Sequence, residues 1–93
     1  VDVVEGQREV KDAGEVAAIR RAVAVAERAL AVTLDGLHPG QTETAVAGAL
    51  ERALREAGSE AHPFPSIVAS GPRSALPHAR AAARVLTRGD WVL

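Results

Sequence analysis

Apolar side chains recur at steps of three and four residues along the first third of the chain. The series is Val16, Ile19, Val23, Ala26 and Leu30. This spacing is typical of one face of an amphipathic α-helix. Before it, Asp12 and Glu15 have the spacing of a capping box, in which two side chains satisfy backbone amides at the start of a helix. The pattern predicts a helix over about 13–34, ended at Gly36 in the left-handed conformation that glycine adopts readily.

A second helix is predicted after a polar connector. Its apolar series is Val46, Leu50 and Leu54, at steps of four residues. Thr42 has a side chain suited to an N-cap, and Gly58 is suited to end a helix. We therefore expect a helix over about 43–57.

The pattern changes in the last third of the chain, where short apolar runs alternate with glycine and proline. The runs are Ile67–Ala69, Val85–Leu86 and Trp91–Leu93. Runs of this length between turn-forming residues predict strands, and Arg88-Gly89-Asp90 has the composition of a tight turn. Residues 73–84 are expected to be irregular or weakly helical. The order of two helices and then strands predicts an α+β fold, with the two helices packed on an antiparallel sheet.

Residues 1–9 show no comparable periodicity. The segment is short, mixed and charged, and its valines suggest at most the end of a strand. We expect it to connect a preceding domain to residues 10–93. The chain opens without an initiator methionine and ends in the apolar run Trp91–Leu93, so we expect a piece of a longer protein.

Composition narrows the possible classes of function. The 93 residues include 11 basic and 12 acidic side chains, for a net charge of −1, and no cysteine. This balance does not favour nucleic acid or a membrane surface as a partner. The lack of thiols excludes disulfides, thiolate metal sites and a cysteine nucleophile. No apolar run reaches the roughly 20 residues of a membrane span, and we expect a cytoplasmic protein.

Three histidines are the main candidates for chemistry. His38, His62 and His78 are too far apart in sequence for the paired ligands of a zinc helix. We interpret His38 as a surface residue of a polar connector and His62 as a packing residue. His78 lies in a loop after a predicted strand, where an imidazole can exchange a proton near neutral pH. Spacing alone leaves His78 open to either interpretation, a surface residue or a functional one.

The acidic residues and Ser70 give weaker signals. On the second helix, Glu51 with Arg55 and Glu56 with Arg52 are spaced for surface ion pairs. Glu43 lies in the first turn of that helix, where the helix dipole favours a carboxylate. Ser70 precedes a glycine but lacks the earlier glycine that a nucleophile elbow requires, so we predict no serine nucleophile.

Basic residues are concentrated in the last third of the chain. No acidic residue occurs between Ala61 and Gly89. The arginines in this stretch are Arg73, Arg80, Arg84 and Arg88. Because no nucleic-acid-binding motif accompanies them, we interpret them as a solvated face or as a face set against an acidic neighbour elsewhere in the parent protein.

Five short motifs follow one another along residues 8–93. They are Arg8-x-x-Lys11-x-x-x-Glu15, Pro39-Gly40-x-Thr42-Glu43, Phe64-x-Ser66-Ile67-Val68-Ala69-Ser70-Gly71-Pro72, Ser74-Ala75-Leu76-Pro77-His78-Ala79 and Gly89-Asp90-Trp91-Val92-Leu93. In this order and spacing the chain resembles the pita-bread metallopeptidases, which include methionine aminopeptidase, aminopeptidase P and prolidase. The resemblance is strongest to bacterial Xaa-Pro peptidases. Arg73 departs from the family pattern, in which asparagine is common, and this bears on substrate preference.

The resemblance implies that residues 10–93 are the first half of a pita-bread catalytic domain, truncated before its metal ligands. Family enzymes hydrolyse an N-terminal peptide bond, here Xaa-Pro, with a water activated by two divalent metal ions such as Mn, Co or Zn. The ligands (two Asp, one His and two Glu) would lie downstream, so the chain alone is expected to bind no metal and to be inactive. The resemblance also implies that His78 is the active-site histidine that contacts substrate near the scissile amide.

The same resemblance implies the partners. They are a peptide with proline at its second position, the missing C-terminal half of the domain and, for the full-length protein, a second copy in a homodimer. No nucleic-acid or membrane partner is expected.

Three alternatives stay open at the level of sequence. Creatinase-like relatives hydrolyse a C–N bond without metals, and other pita-bread proteins are non-catalytic peptide-binding or protein-binding modules. The third alternative takes the segment alone as a helical hairpin with an unpaired sheet edge, which would fold poorly or associate.

Overall fold

The computed structural model describes residues 2–93, and α-helices form its first half. They are α1 (Val3–Glu9), α2 (Ala13–Asp35) and α3 (Glu43–Glu56). A short 3-10 helix follows at Gly71–Ala75. The two long helices confirm the predictions for 13–34 and 43–57.

The sequence predicts at most the end of a strand near the start of the chain, but Val3–Glu9 form helix α1. Glu5 in its first turn and Arg8 in its last turn have the charges that a helix dipole favours. None of its residues is buried, so it leaves no apolar periodicity for sequence analysis to detect. The assignment of residues 1–9 to an interdomain connector stays a prediction.

The start of α2 is the predicted capping box, whereas its end differs from the prediction. The Asp12 carboxylate accepts a hydrogen bond from the Glu15 amide at 2.8 Å, and Glu15 accepts one from the Asp12 amide at 2.9 Å. Gly36 caps the other end with φ −91° and ψ 0°, which is right-handed rather than left-handed. Its amide satisfies the last carbonyls of the helix in this ordinary conformation, so no left-handed residue is required.

The face of α2 that packs on α3 is not the predicted apolar series. Its buried residues are Ala29 and Thr33, and the Thr33 hydroxyl donates to the Ala29 carbonyl at 2.8 Å. Ile19, Val23 and Leu30 remain 50%, 49% and 49% exposed. Small side chains let α2 and α3 approach closely, and they leave the larger apolar series on the outside.

The main core lies between the start of α3 and the last third of the chain. Val46 and Ala47 of α3 pack with Val68 and Leu86. Leu37 and Ala81 cover this cluster from the side. The core therefore joins segments that are distant in sequence.

The predicted antiparallel sheet is wrong for residues 2–93, where the structure has two isolated bridges and no strand. Thr42 pairs with Val85 and Ser70 pairs with Val92, both antiparallel. The second pairing includes hydrogen bonds from the Ala69 amide to the Leu93 carbonyl (3.0 Å) and from the Leu93 amide to the Ala69 carbonyl (2.8 Å). The three apolar runs do not pair with one another over several residues, which a ladder requires. The expected tight turn is present, with Gly89 at φ +92°.

Among the described residues, no helix has the length and apolar character needed to cross a membrane.

Candidate functional site

A fully buried carboxylate lies where α3 meets the last third of the chain. Glu43 is 0% exposed. Its Oε1 accepts hydrogen bonds from the Ser70 amide (2.8 Å) and the Ser70 hydroxyl (2.9 Å). Its Oε2 accepts one from the Ala82 amide at 3.0 Å. The Arg73 Nε lies 3.2 Å from Oε1 and 3.1 Å from Oε2. Every buried polar side-chain atom among the described residues has a partner, and Glu43 is the one charged residue that is buried there.

The start of α3 holds Glu43 in this position. The Thr42 hydroxyl caps the helix by accepting from the Ala45 amide at 3.0 Å. The first amides of a helix have no partner within it. Here the Glu43 amide donates to the Arg84 carbonyl (3.0 Å), and the Thr44 amide donates to the Ala82 carbonyl (3.2 Å). The helix N-terminus is thus fixed against residues 82–84, and the Glu43 side chain turns into the interior beside them.

Arg84 connects this carboxylate to a second one. Its guanidinium donates to Asp90 through Nη1 (2.6 Å) and Nη2 (3.1 Å), a two-pronged geometry. Nη1 also donates to the Ser70 hydroxyl at 2.6 Å. The Ser70 hydroxyl therefore donates to Glu43 and accepts from Arg84. We call Glu43, Ser70, Arg73, Arg84 and Asp90 the polar network.

The network keeps both carboxylates ionised. Burial raises the pKa of Glu43, but the hydrogen bonds from Ser70, Ala82 and Arg73 outweigh it and lower that pKa below its ordinary value. Hydrogen bonding to Arg84, supported by the Thr87 amide, lowers the pKa of Asp90 well below its usual range. The same contact with Asp90 raises the pKa of Arg84.

Gly71 lets the backbone pass close beside the network. Its φ is +53°, in the left-handed region. A Cβ at this position would lie 2.5 Å from Arg84 Nη2 and 2.9 Å from Asp90 Oδ1. A side chain here would therefore displace the ion pair between Arg84 and Asp90.

His78 lies outside the network, on the loop that the network brackets. We call residues 71–81 the His78 loop. Ser70 and Arg73 anchor its first end, Ala82 follows its second end, and Arg73 Nη2 donates to the Arg80 carbonyl at 2.6 Å. The His78 side chain is exposed, and none of the side-chain hydrogen bonds found between residues 2 and 93 involves it. The role of His78 remains a prediction.

The other two histidines lie away from the network. His38 is exposed, and its Nδ1 lies 2.9 Å from the Pro39 carbonyl oxygen. His62 is half-buried beside a cleft between α2 and the segment that follows α3. His38, His62 and His78 therefore do not lie together at one site.

The charged residues of α3 behave differently from the prediction. Glu51 accepts a hydrogen bond from the Ser66 hydroxyl at 2.6 Å. Within residues 2–93 the ion pairs are Arg73 with Glu43 and Arg84 with Asp90, so the two predicted surface pairs on α3 do not form. Arg52, Arg55 and Glu56 are exposed and Glu51 is half-buried, and holding two long side chains together at such a surface gains little stability.

The sequence placed Glu43 in the first turn of a helix and in the motif Pro39-Gly40-x-Thr42-Glu43, but it did not predict that Glu43 is the centre of a network. A signal was present in the stretch from 61 to 89, which holds four arginines and no acid. Two of those arginines, Arg73 and Arg84, are set against acidic residues from outside the stretch. Their acidic partners are supplied by this chain, and not by the neighbour elsewhere in the parent protein that the sequence suggested.

No group of three or more His, Cys, Asp or Glu side chains that could hold a metal ion occurs in the described part of the chain. The carboxylates of the network are already occupied by donors from arginine, serine and backbone amides. These residues do not fit a metal centre.

Comparison with known proteins connects this architecture to one family. The sequence model of Metallopeptidase family M24 matches residues 17–93. An Xaa-Pro dipeptidase of Pyrococcus horikoshii is 35% identical over 92 residues, which are 99% of this chain and 26% of that protein.

Solved structures agree with the sequence comparison. The X-Pro aminopeptidase of Thermotoga maritima is 44% identical with a TM-score of 0.90, over 98% of this chain and 26% of that one. The Xaa-Pro dipeptidase of Bacillus anthracis is 37% identical with a TM-score of 0.91, over 98% and 26% of the two chains. The chain thus spans about a quarter of the length of these relatives and shares the corresponding part of their fold.

Proposed function

Because the chain belongs to metallopeptidase family M24, we propose that it is the first part of the catalytic domain of a metal-dependent exopeptidase that cleaves N-terminal Xaa-Pro bonds. The observation that carries this proposal is the superposition of nearly the whole chain on an X-Pro aminopeptidase, at 44% identity and a TM-score of 0.90. Relatives named as Xaa-Pro dipeptidases match over the same length.

We place His78 at the substrate. It is exposed on a loop whose ends are fixed, which leaves the imidazole free to meet a ligand while its backbone stays in place. An imidazole at this position would donate a hydrogen bond to the substrate beside the scissile amide, and Arg73, on the same loop, would influence which peptides fit. The substrate class is a peptide with proline at its second position.

The metal ions belong to the rest of the polypeptide. In this proposal the ligands for the metal ions come from outside this chain, and the chain alone would not carry out the hydrolytic step. The catalytic domain would be completed by the C-terminal half that follows in the relatives. The large apolar residues left exposed on α2 are suited to being covered by that half, because burying them would remove their apolar surface from water.

The test uses the complete polypeptide that contains this chain, loaded with Mn²⁺ and assayed on Xaa-Pro dipeptides. His78→Ala is expected to lower kcat/KM by about 10²–10⁴-fold, because a hydrogen bond made at the reacting amide is lost. His38→Ala is the matched control and is expected to leave the rate within about twofold. Equal rates for His78→Ala and the parent enzyme would remove His78 from the site.

A further inference from the structure

We propose that Glu43 is a positioning residue: its single buried carboxylate holds both ends of the His78 loop and thereby sets the placement of His78. This inference rests on the proposed function for its link to substrate. Its structural part, the control of one loop by one carboxylate, does not.

Each of the two carboxylate oxygens of Glu43 accepts hydrogen bonds from a different end of the loop. Oε1 holds Ser70, through its amide at 2.8 Å and its hydroxyl at 2.9 Å. Oε2 holds the Ala82 amide at 3.0 Å. The two anchored residues directly flank residues 71–81. One carboxylate therefore joins the two ends of the loop, alongside the Thr44 amide that donates to the Ala82 carbonyl at 3.2 Å.

The loop has few other contacts with the rest of the chain: Ala81 packs against the core at its second end, and the Gly71 amide donates to the Trp91 carbonyl at 2.9 Å at its first end. Residues Ala75 to His78 are all exposed, and none of the side chains in residues 71–81 is fully buried. Inside the loop, Leu76 and Ala79 donate backbone hydrogen bonds to Arg73 and Leu76, which shape local turns but do not join the loop to the core. Arg73 reaches across to the Arg80 carbonyl, and Arg73 is itself held by Glu43. The cross-loop contact thus depends on the same carboxylate.

A role in stability alone does not account for the choice of glutamate. A buried charge is costly, and well-packed apolar side chains often replace buried ion pairs with no loss of stability. What an apolar residue cannot do is accept hydrogen bonds from two separate backbone amides. The arrangement requires two acceptor oxygens at a fixed separation, which a carboxylate provides.

Glu43→Gln is the most informative substitution because it preserves size and converts one acceptor oxygen into an NH₂ donor. That donor would face either the Ser70 amide or the Ala82 amide, so one end of the loop is released. Glu51→Gln is the matched control on the same helix, because Glu51 accepts its hydrogen bond from Ser66, outside the His78 loop.

The experiment is a double-mutant cycle in the complete, metal-loaded polypeptide, assayed on Xaa-Pro dipeptides well below the unfolding temperature of every variant. Glu43→Gln is expected to lower kcat by about 10–100-fold when His78 is present and by less than about threefold in the His78→Ala background, with bound metal unchanged. Glu51→Gln should leave kcat unchanged in both backgrounds. Equal losses from Glu43→Gln in the two backgrounds would overturn the proposal, because a purely structural effect does not depend on His78.

Amide hydrogen exchange separates this proposal from the peptidase assignment. If the complete protein cleaves no Xaa-Pro peptide, the peptidase proposal fails, but the exchange rates still decide the positioning role. Glu43→Gln is expected to speed exchange at Ala82 and through the His78 loop at least tenfold, while Glu51→Gln does not. Unchanged protection there would contradict the proposal.

Arg73→Met provides a second route if Glu43→Gln does not fold. The Arg73 side chain is 32% exposed, and its loss removes one anchor of the loop while leaving both backbone contacts to Glu43. We expect the same dependence on His78 with a smaller loss of kcat, and an Arg73→Met enzyme with additive losses would count against the proposal.

Discussion

Residues 13–57 and residues 66–93 are held by different kinds of contact. The first region is two capped helices, α2 and α3, whose hydrogen bonds are mostly local and which meet through small side chains. The second region has a single short 3-10 helix and two isolated bridges, and its path is fixed by backbone amides and side chains that donate to Glu43 and Asp90.

The difference shows how a chain segment without extended secondary structure can still be precisely placed. Backbone amides and carbonyls that are not paired in a ladder need other partners when they are buried. Here the carboxylates of Glu43 and Asp90 accept from the amides of Ser70, Ala82 and Thr87. We therefore expect substitutions in the second region to cost more than comparable substitutions in the helical region.

Glycine substitutions should give the largest difference between the two regions in the free energy of unfolding. In the complete protein, Gly71→Ala is expected to lower the free energy of unfolding by about 2–4 kcal/mol, because its Cβ would strike Arg84 at a positive φ. Gly48→Ala, within α3 and with open space around the new Cβ beyond the helix's own backbone, should raise it by about 0.5–1 kcal/mol. Denaturant unfolding measures both, and a Gly71→Ala protein as stable as the parent would refute the account of the network.

Removing Arg84 should have the next largest effect. Arg84→Met is expected to lower the free energy of unfolding, because it leaves Asp90 without its partner and removes a donor to Ser70. The ion pair also predicts a pH dependence. Both carboxylates have lowered pKa values in the folded state, so their contribution to stability is complete above their ordinary pKa values of about 4 and is lost as the pH falls below them.

Unfolding midpoints measured between about pH 6 and pH 3 test whether stability falls on acidification, because the folded carboxylates resist protonation over this range. The parent protein should lose stability on acidification, and Arg84→Met should lose less, since the pKa of Asp90 would return toward its ordinary value. Identical slopes for the two proteins would show that Arg84 does not set the pKa of Asp90.

The helix caps should give the smallest effect. Asp12→Ala removes the capping box of α2 and is expected to cost about 1 kcal/mol. Asp2→Ala changes the N-cap position of α1, where no side-chain hydrogen bond caps the helix, and should be close to neutral. If the two substitutions had equal effects on the unfolding midpoint, the capping box would not contribute to stability as its geometry implies.

Sequence reasoning succeeded where contacts are local and failed where they are distant. Asp12, Glu15 and Thr42 act within three residues of their own positions, so composition and spacing predict α2 and α3 closely. Glu43 and Ser70 meet across 27 positions, and no periodicity reports such a contact. The predicted strands failed for a related reason, because an apolar run forms a strand only when a partner lies beside it for several residues.

The apolar series on α2 has the spacing of a helix, but its large side chains are not buried by residues 2–93. Its spacing is helical, as predicted, yet Ile19 and Val23 remain half-exposed while Ala29 makes the packed face. The motifs around Ser66–Pro72 and Ser74–Ala79 connected the chain to its family. They did not indicate that Glu43 is the residue that joins them.

The central claim is that this chain builds part of an Xaa-Pro metallopeptidase, and the most direct measurement is hydrolysis by the complete polypeptide. Matched dipeptides with proline or alanine at the second position would be assayed with Mn²⁺ bound and after removal of metal by a chelator. The account predicts cleavage of the proline peptides, little cleavage of the alanine peptides, and loss of activity without metal that returns on adding Mn²⁺. A folded protein that cleaves neither peptide when Mn²⁺ is supplied would contradict it, and would point instead to a creatinase-like hydrolase or a non-catalytic binding module.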